Sequence, residues 1–201
     1  MKIRHAAIFL ALPLLCTTAQ ANSFLHYAGE FNFRTGEKQN NVTIAGLSAI
    51  TFDAKNNIFY AINDSRNNNK EGDASLYTLK IQVSSRGIEQ VNFLNQRPLL
   101  DAKQQPFVTN TVDAEGLALT HNGKSLLWSS ELGAPLRLST LDGVMEKDFT
   151  SLFPARFNIS SDKESSNGIR SGNAWEGLTV TPDGKSLFIA VESSLKQDGP
   201  I

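Results

Sequence analysis

The sequence predicts an all-β protein, specifically a partial β-propeller with about three blades present. The first observation is internal repetition, because residues 48–64, 115–131 and 176–192 align without a gap. The copies begin 67 and 61 residues apart, and repetition at such spacings is typical of stacked supersecondary units. The second is local: each copy has the pattern of a short β-hairpin.

The hairpin interpretation depends on the turns and on the strands that leave them. The second and third copies centre on Asn122-Gly123 and Asp183-Gly184, dipeptides that favour tight hairpin turns. The outgoing strands, 126–128 (LLW) and 187–191 (LFIAV), are apolar at successive positions. Such strands need cover on both faces, which radially packed sheets provide and a lone hairpin does not.

Further strands are predicted between the copies, at residues 75–83, 87–97 and 135–141, the last ending at an Asp142-Gly143 turn. Helical periodicity is almost absent after the first residues. A β-sandwich is the alternative architecture, but it does not explain why an acid recurs at the same place in each copy.

The N-terminal residues 1–21 are predicted to be a secretory signal peptide. Lys2 and Arg4 precede an apolar run over residues 6–16, and a small-residue pattern then predicts cleavage after Ala21. A membrane anchor is less favoured, because the run is shorter than the roughly 20 residues that span a bilayer. Lipidation of Cys16 is less favoured because Leu15 stands where a small residue is usual.

Residues 22–201 form the predicted mature domain, which we expect to be periplasmic or secreted. Its lack of cysteine means that its core or metal ions must stabilise it. It has 17 basic residues against 20 acidic ones, a balance that does not attract nucleic acid. The sequence stops in a turn-rich segment, so we expect a longer propeller of which this is the N-terminal part.

The repeated acids are the strongest functional signal. Each copy ends on an acid, fifteen residues after a small residue, and two copies also begin on one. Propeller symmetry brings the hairpin ends together, where clustered carboxylates repel unless a cation neutralises them. Hard oxygen ligands favour Ca²⁺. The predicted metal ligands are Asp64, Asp113, Glu115, Glu131, Glu176 and Glu192. The alternative is that each acid is a solvated strand end or a turn former.

One geometric difficulty accompanies this prediction. A regular hairpin places Glu115 opposite Ser130 and next to Glu131, so the two carboxylates point to opposite faces of the sheet. The same holds for Glu176 and Glu192. A β-bulge or a neighbouring blade is needed before the carboxylates converge on one ion.

Three arginines lie in loops near the acids: Arg66, Arg156 and Arg170. Guanidinium groups beside a calcium cluster suit a phosphate-like ligand, although a loop arginine is often only solvated. Other catalytic arrangements lack support: His26 and His121 are not placed beside a nucleophile, and the sequence contains no G-x-S-x-G elbow and no zinc motif. Trp128 and Trp175 are interpreted as packing residues rather than a ligand platform.

Several segments resemble a known family in order and spacing: "GLSAITFDAKNNIFYAINDSR", "LLDAKQQPF", "VDAEGLAL", residues 127–131 and "NAWEGLTVTPDGKSLFIAVESSLKQDGP". They are similar to the phytase-like family described as having esterase-like activity of phytase, from about Gly46 onward. The resemblance implies a β-propeller related to propeller phytases. It also implies Ca²⁺-dependent hydrolysis of a phosphate ester, with inositol phosphates as candidate substrates.

The resemblance gives positions, and the roles are our hypothesis. Glu176, Arg170 and Arg66 are the candidate catalytic residues, with the two arginines near the phosphate. The first copy departs from the others, because Ser48 stands where they have Glu115 and Glu176. A non-catalytic, calcium-stabilised propeller that binds a ligand or a protein partner is the competing interpretation. In either case we expect a monomer when full length, without a membrane or nucleic-acid partner.

Overall fold

The computed structural model describes residues 27–34, 36–39, 42–44, 46–70, 72–159 and 165–199. The predicted signal peptide, residues 1–21, lies outside these ranges. Within them the regular structure is β-strand with three short 3₁₀ turns, and no α-helix occurs. The strands are β1 (Lys38–Gln39), β2 (Val42–Thr43), β3 (Leu47–Asp53), β4 (Ile58–Asn63), β5 (Ser75–Ser84), β6 (Gly87–Pro98), β7 (Ala114–Leu119), β8 (Ser125–Ser130), β9 (Leu136–Thr140), β10 (Met145–Asp148), β11 (Trp175–Val180) and β12 (Leu187–Val191). The 3₁₀ turns are Thr150–Leu152, Ala155–Phe157 and Lys196–Asp198.

Strands β1 and β2 pair with each other in a short antiparallel sheet, and the strands from β3 onward form three consecutive antiparallel units, which we call blades. Blade 1 has the order β3-β4-β5-β6, blade 2 has β7-β8-β9-β10, and blade 3 is the hairpin β11-β12. The first strand of blade 2, β7, packs against the first strands of both neighbours, β3 and β11. This radial order of innermost strands is that of a β-propeller, which confirms the predicted all-β fold and partial propeller.

The three sequence copies are also structural copies. In each, the closing acid donates its backbone N–H to a carbonyl eighteen residues earlier: Asp64 to Gly46 at 2.9 Å, Glu131 to Asp113 at 3.0 Å and Glu192 to Ala174 at 2.9 Å. A recurring hydrogen bond at equal spacing shows that the alignment without gaps reflects one shared backbone path.

The blades are held together by apolar side chains at their facing surfaces. One cluster joins blades 1 and 2 and includes Tyr60, Ile62, Leu117 and Trp128, each at most 5% exposed. Burying a large apolar side chain contributes roughly 1.5–3 kcal/mol relative to exposure. On one face of β8, Leu126 and Trp128 are fully buried, whereas Leu127 on the other face is partly buried.

The two outer blades each leave one apolar face open. Ile50 on β3 is 52% exposed, whereas its repeat equivalent in blade 2, Leu117, is 4% exposed because blade 1 covers it. On blade 3, Phe188 is 62% exposed. In blade 2, which lies between the other two blades, a neighbouring blade covers such a face.

Candidate metal centre

Five of the six acids singled out in the sequence, all except Asp64, meet where β7 and β11 begin and β8 and β12 end. Among the described residues they form two groups, in each of which one carboxylate oxygen per residue lies within 4.8 Å of the others. The groups are Asp113, Glu115, Glu131 and Glu131, Glu176, Glu192. Glu131 belongs to both, so the two groups form one continuous acidic centre across the junction of blades 2 and 3.

A β-bulge brings the acids of one hairpin together. In blade 2, Ala114 pairs with Ser130 and the next pair is Leu117 with Trp128. The expected pairing of Glu115 with Ser130 is therefore wrong by one residue, because Glu115 and Gly116 together face one residue of β8. A bulge breaks the alternation of side chains between the two faces, which allows Glu115 to join Glu131.

The third copy repeats this register residue for residue. Trp175 pairs with Val191 and the next pair is Leu178 with Ile189, so Glu176 lies in the equivalent bulge. Blade 1 has a shift at the same place, between Leu47 and Ala49. The bulge is thus a feature of the repeat, and the sequence could not show it because the strand lengths alone fit a regular hairpin.

Contact with the neighbouring blade also helps to bring the acids together. Glu131, at the end of β8, accepts a hydrogen bond at Oε1 from the backbone N–H of Ala174 at 2.6 Å. In blade 3, the side-chain amide of Asn173 donates to Oε2 of Glu192 at 2.9 Å. Both bonds leave one carboxylate oxygen of each acid for another partner.

Asp113 is the most deeply buried acid of the centre, at 1% exposure. Its Oδ2 lies 2.6 Å from Nη2 of Arg66, and its Oδ1 has no hydrogen-bond partner among the described residues. A buried carboxylate oxygen without a partner is costly. Burial also raises the pKa of Asp113 above its ordinary value, although Arg66 opposes the shift.

The glutamates also have raised pKa values. Burial, followed by the charge of Glu176 and then that of Asp113, raises the pKa of Glu115 to about 8. Burial, followed by the charges of Glu131 and Glu192, raises the pKa of Glu176. The centre therefore carries more negative charge than its surroundings compensate.

This donor set fits a hard divalent cation. All members are carboxylates, two bulges and two backbone or amide hydrogen bonds orient them, and Asp113 has an unpartnered buried oxygen. Ca²⁺ accepts six to eight oxygen ligands in flexible geometry. Carboxylates from two blades satisfy that preference without any nitrogen or sulfur ligand.

Asp64 lies at the same end of the molecule but outside both groups of acids. Its backbone N–H bonds Gly46, and a side chain on Gly46 would overlap the carboxylate of Asp64. Its negative charge contributes to the raised pKa values of Asp113 and Glu115. Asp64 therefore acts on the centre through its charge in this structure.

The loop that follows Glu131 is held by a buried arginine that the sequence did not single out. Arg137 on β9 is 4% exposed and donates to the carbonyl of Ala134 at 2.7 Å. Its guanidinium also lies over the ring of Trp128, 4.7 Å from the centroid. Burial lowers the pKa of Arg137 to about 10, so it remains charged at neutral pH. Trp128 is fully buried in this packing, in keeping with its interpretation as a packing residue.

Comparison with known proteins identifies the family of the chain. The family model for Phytase-like proteins, described as esterase-like activity of phytase, matches residues 42–201. The chain belongs to the Phytase-like family. The matched residues contain every acid of the acidic centre of this Phytase-like chain. No curated protein sequence matches it.

Two solved structures resemble this Phytase-like chain. One is the periplasmic gluconolactonase of Pseudomonas aeruginosa, with 13% identity, a TM-score of 0.44 and a match over 75% of this chain and 38% of that one. The other is a candidate 6-phosphogluconolactonase from Bacteroides uniformis, with 12% identity, a TM-score of 0.34 and a match over 75% of this chain and 52% of that one. The chain thus spans less than two thirds of either structure.

The two predicted phosphate-binding arginines differ in their surroundings. Arg66 has a half-exposed side chain, 42% accessible, and pairs with Asp113. Arg170 donates through Nε to the carbonyl of Ser194 at 3.1 Å and through Nη2 to the carbonyl of Gly199. In the Phytase-like chain Arg170 therefore secures the segment after β12, while Arg66 borders the acids.

Proposed function

We propose that this chain carries the cation-binding part of an exported, Ca²⁺-dependent hydrolase that acts on phosphate esters. The observation that supports the proposal best is the shared position of Glu131 in two groups of carboxylates from two blades, next to the unpartnered Oδ1 of Asp113. Family membership is consistent with an esterase-like activity.

In this proposal Asp113, Glu115, Glu131, Glu176 and Glu192 hold Ca²⁺, and Asp64 adds negative charge beside them. When bound, Ca²⁺ supplies positive charge that offsets the charge of the phosphate and polarises its oxygens. The half-buried Glu176 is the acid on which we place catalysis, because it lies in the bulge of blade 3 at the junction with blade 2, in the group that also contains Glu131 and Glu192.

The arginines have two different roles in the proposal. Arg66 is half-exposed beside Asp113 and presents its guanidinium to an anionic substrate. Arg170 positions the segment after β12, through the carbonyls of Ser194 and Gly199, so that this segment borders the substrate. Arg170 thus acts near the phosphate mainly through the backbone that it holds.

Export is part of the proposal. Residues 1–21 have the pattern of a signal peptide, and no helix within the described residues is long and apolar enough to cross a membrane. We place the mature protein in the periplasm or outside the cell, as a monomer when full length, with a small anionic substrate.

A second candidate function is a non-catalytic propeller that binds Ca²⁺ for stability and a ligand or protein at the same face. The observation that favours it concerns the arginines. Arg66 is paired with Asp113 and Arg170 with backbone carbonyls, so both guanidinium groups already have protein partners. A polyanion would have to compete with those partners.

The test is phosphate release by the full chain from inositol hexakisphosphate and from an aryl phosphate, with Ca²⁺ and with a chelator. The variant is Glu176→Gln, and the matched control is Glu146→Gln, which changes an exposed glutamate on β10. We expect calcium-dependent release that Glu176→Gln abolishes and Glu146→Gln retains. If Ca²⁺ raises the melting temperature while neither ester is hydrolysed, the second candidate function is correct.

A further inference from the structure

A buried serine hydroxyl lies at the junction of blades 2 and 3, beneath the acidic centre. Ser129 is 0% exposed. Its Oγ accepts a hydrogen bond from the backbone N–H of Gly116 at 2.7 Å and donates one to the backbone carbonyl of Glu176 at 2.7 Å. The hydroxyl thus uses its donor and an acceptor position at once.

The two backbone groups that Ser129 joins belong to the two bulges. Gly116 follows Glu115 in the bulge of blade 2, and Glu176 is the bulge residue of blade 3. A side chain on Gly116 would overlap the carbonyl oxygen of Glu176, so the two bulges lie in direct contact. One oxygen atom therefore links the backbone beside Glu115 to the backbone of Glu176.

Comparison among the repeats shows that a blade does not need this hydroxyl. The residue equivalent to Ser129 is Ile62 in blade 1 and Ala190 in blade 3. Both blades nevertheless have the register shift at the same position as blade 2. The serine occurs at the one described junction where both groups of acids meet, which indicates a role in the junction.

We propose that Ser129 is a positioning residue that fixes Glu115 relative to Glu176 and so sets the geometry of the cation centre. This inference rests on the proposed function in that it takes the acids as cation ligands. Glu115 and Glu176 belong to two groups of carboxylates that share Glu131, and like charges at such short range repel one another. The bridge through Ser129 opposes the separation that this repulsion favours.

The experiment compares Ser129→Ala, Ser129→Thr and Ser139→Ala in the full chain. Thr retains a hydroxyl. Ser139 is a matched control because it is 1% exposed on the adjacent strand and its Oγ makes no hydrogen bond within the described residues. Calcium affinity is measured by titration calorimetry, and the melting temperature is measured in chelator.

We expect Ser129→Ala to weaken calcium affinity about 10–100-fold, as loss of an outer partner of metal ligands does. Ser129→Thr should restore most of that affinity, and Ser139→Ala should remain close to the unmodified protein. A merely structural role would lower the melting temperature in chelator for Ser129→Ala without a selective loss of calcium affinity.

The inference is overturned if Ser129→Ala binds Ca²⁺ as tightly as Ser139→Ala does. If Ser129→Ala does not fold, Ser129→Cys, which keeps a similar volume with a weaker hydrogen-bonding group, decides the question by the same comparison. If the unmodified protein binds Ca²⁺ but hydrolyses no ester, the proposed function fails while the affinities still decide the role of Ser129. If it binds no Ca²⁺, both fail.

Discussion

The carboxylate of Glu131 accepts a hydrogen bond from the backbone N–H of Ala174 at 2.6 Å. The closing acid of blade 2 is therefore fixed by the residue that precedes the first strand of blade 3. Because Glu131 also belongs to both groups of acids, the contact between the two blades and the geometry of the acidic centre involve one and the same side chain.

Replacement of Glu131 by Gln should reduce calcium affinity more than replacement of any other acid in the centre. Gln retains an oxygen that can accept the bond from Ala174, so the junction of the blades should persist. We expect a loss of about tenfold or more for Glu131→Gln and a smaller loss for Glu192→Gln, which belongs to only one group. Calorimetric titration of both variants provides the measurement. Equal losses would show that the two groups do not share Glu131.

The stability of the calcium-free protein should decrease with increasing pH. The pKa of Glu115 rises from 4.5 in the unfolded chain to about 8 in the fold. Below 4.5 the group is protonated in both states, and its full contribution to stability is present. As pH increases through 4.5 and then 8, only the unfolded state ionises at first, so stability falls.

The corresponding measurement is the melting temperature in chelator between pH 5 and pH 8.5. We expect a decrease in the unmodified protein that is smaller in Glu115→Gln, because the amide does not ionise. Added Ca²⁺ should restore stability at the upper end of this range. A variant whose melting curve follows the unmodified protein at every pH would exclude Glu115 as the cause.

Gly116 and Gly177 occupy equivalent positions in their copies but should respond differently to alanine. A Cβ on Gly116 would overlap the backbone of Glu176, whereas a Cβ on Gly177 would meet Ala190 at an ordinary 3.6 Å. We expect Gly116→Ala to destabilise the protein by about 1–3 kcal/mol, as overpacking does, and Gly177→Ala to be almost neutral. Urea unfolding measures both. A large effect of Gly177→Ala would be incompatible with the open face of blade 3.

Removal of Arg66 should destabilise the protein through Asp113. The pair joins a guanidinium that is 42% exposed to a carboxylate that is 1% exposed, so Arg66→Ala leaves a buried charge without its partner. We expect a loss of about 1–3 kcal/mol in chelator, which Asp113→Asn in the same chain should largely relieve. A double-mutant cycle by urea unfolding measures the coupling, and additive losses would show that the pair contributes nothing.

Much of the fold follows from local signals in the sequence. The strands predicted at 75–83, 87–97 and 135–141 correspond to β5, β6 and β9 with ends that differ by one residue, because turn residues and apolar runs define them. The strand β10 (Met145–Asp148) was not predicted. It is short and mostly polar, and it forms by pairing with β9 at the edge of blade 2.

The gathering of the acids at one end of the hairpins could be predicted from the repeat, whereas the position of the bulges that bring them together could not. Repeat spacing identified Glu131 and Glu192, but the bulges at Glu115 and Glu176 arise from how two strands pair. Nothing in the sequence indicated a role for Ser129, because the other copies have apolar residues at the equivalent position. The partners of Arg170 could not be predicted either, because it donates to backbone carbonyls, which every residue has.

The most direct test of the central claim is to measure calcium binding and ester hydrolysis across one calcium titration of the full chain, with Glu131→Gln in parallel. The account predicts no phosphate release in chelator, a rise of activity with the same midpoint as binding, and a shift of both midpoints to higher calcium in Glu131→Gln. Hydrolysis that persists in chelator, or calcium binding that Glu131→Gln leaves unchanged, would contradict it.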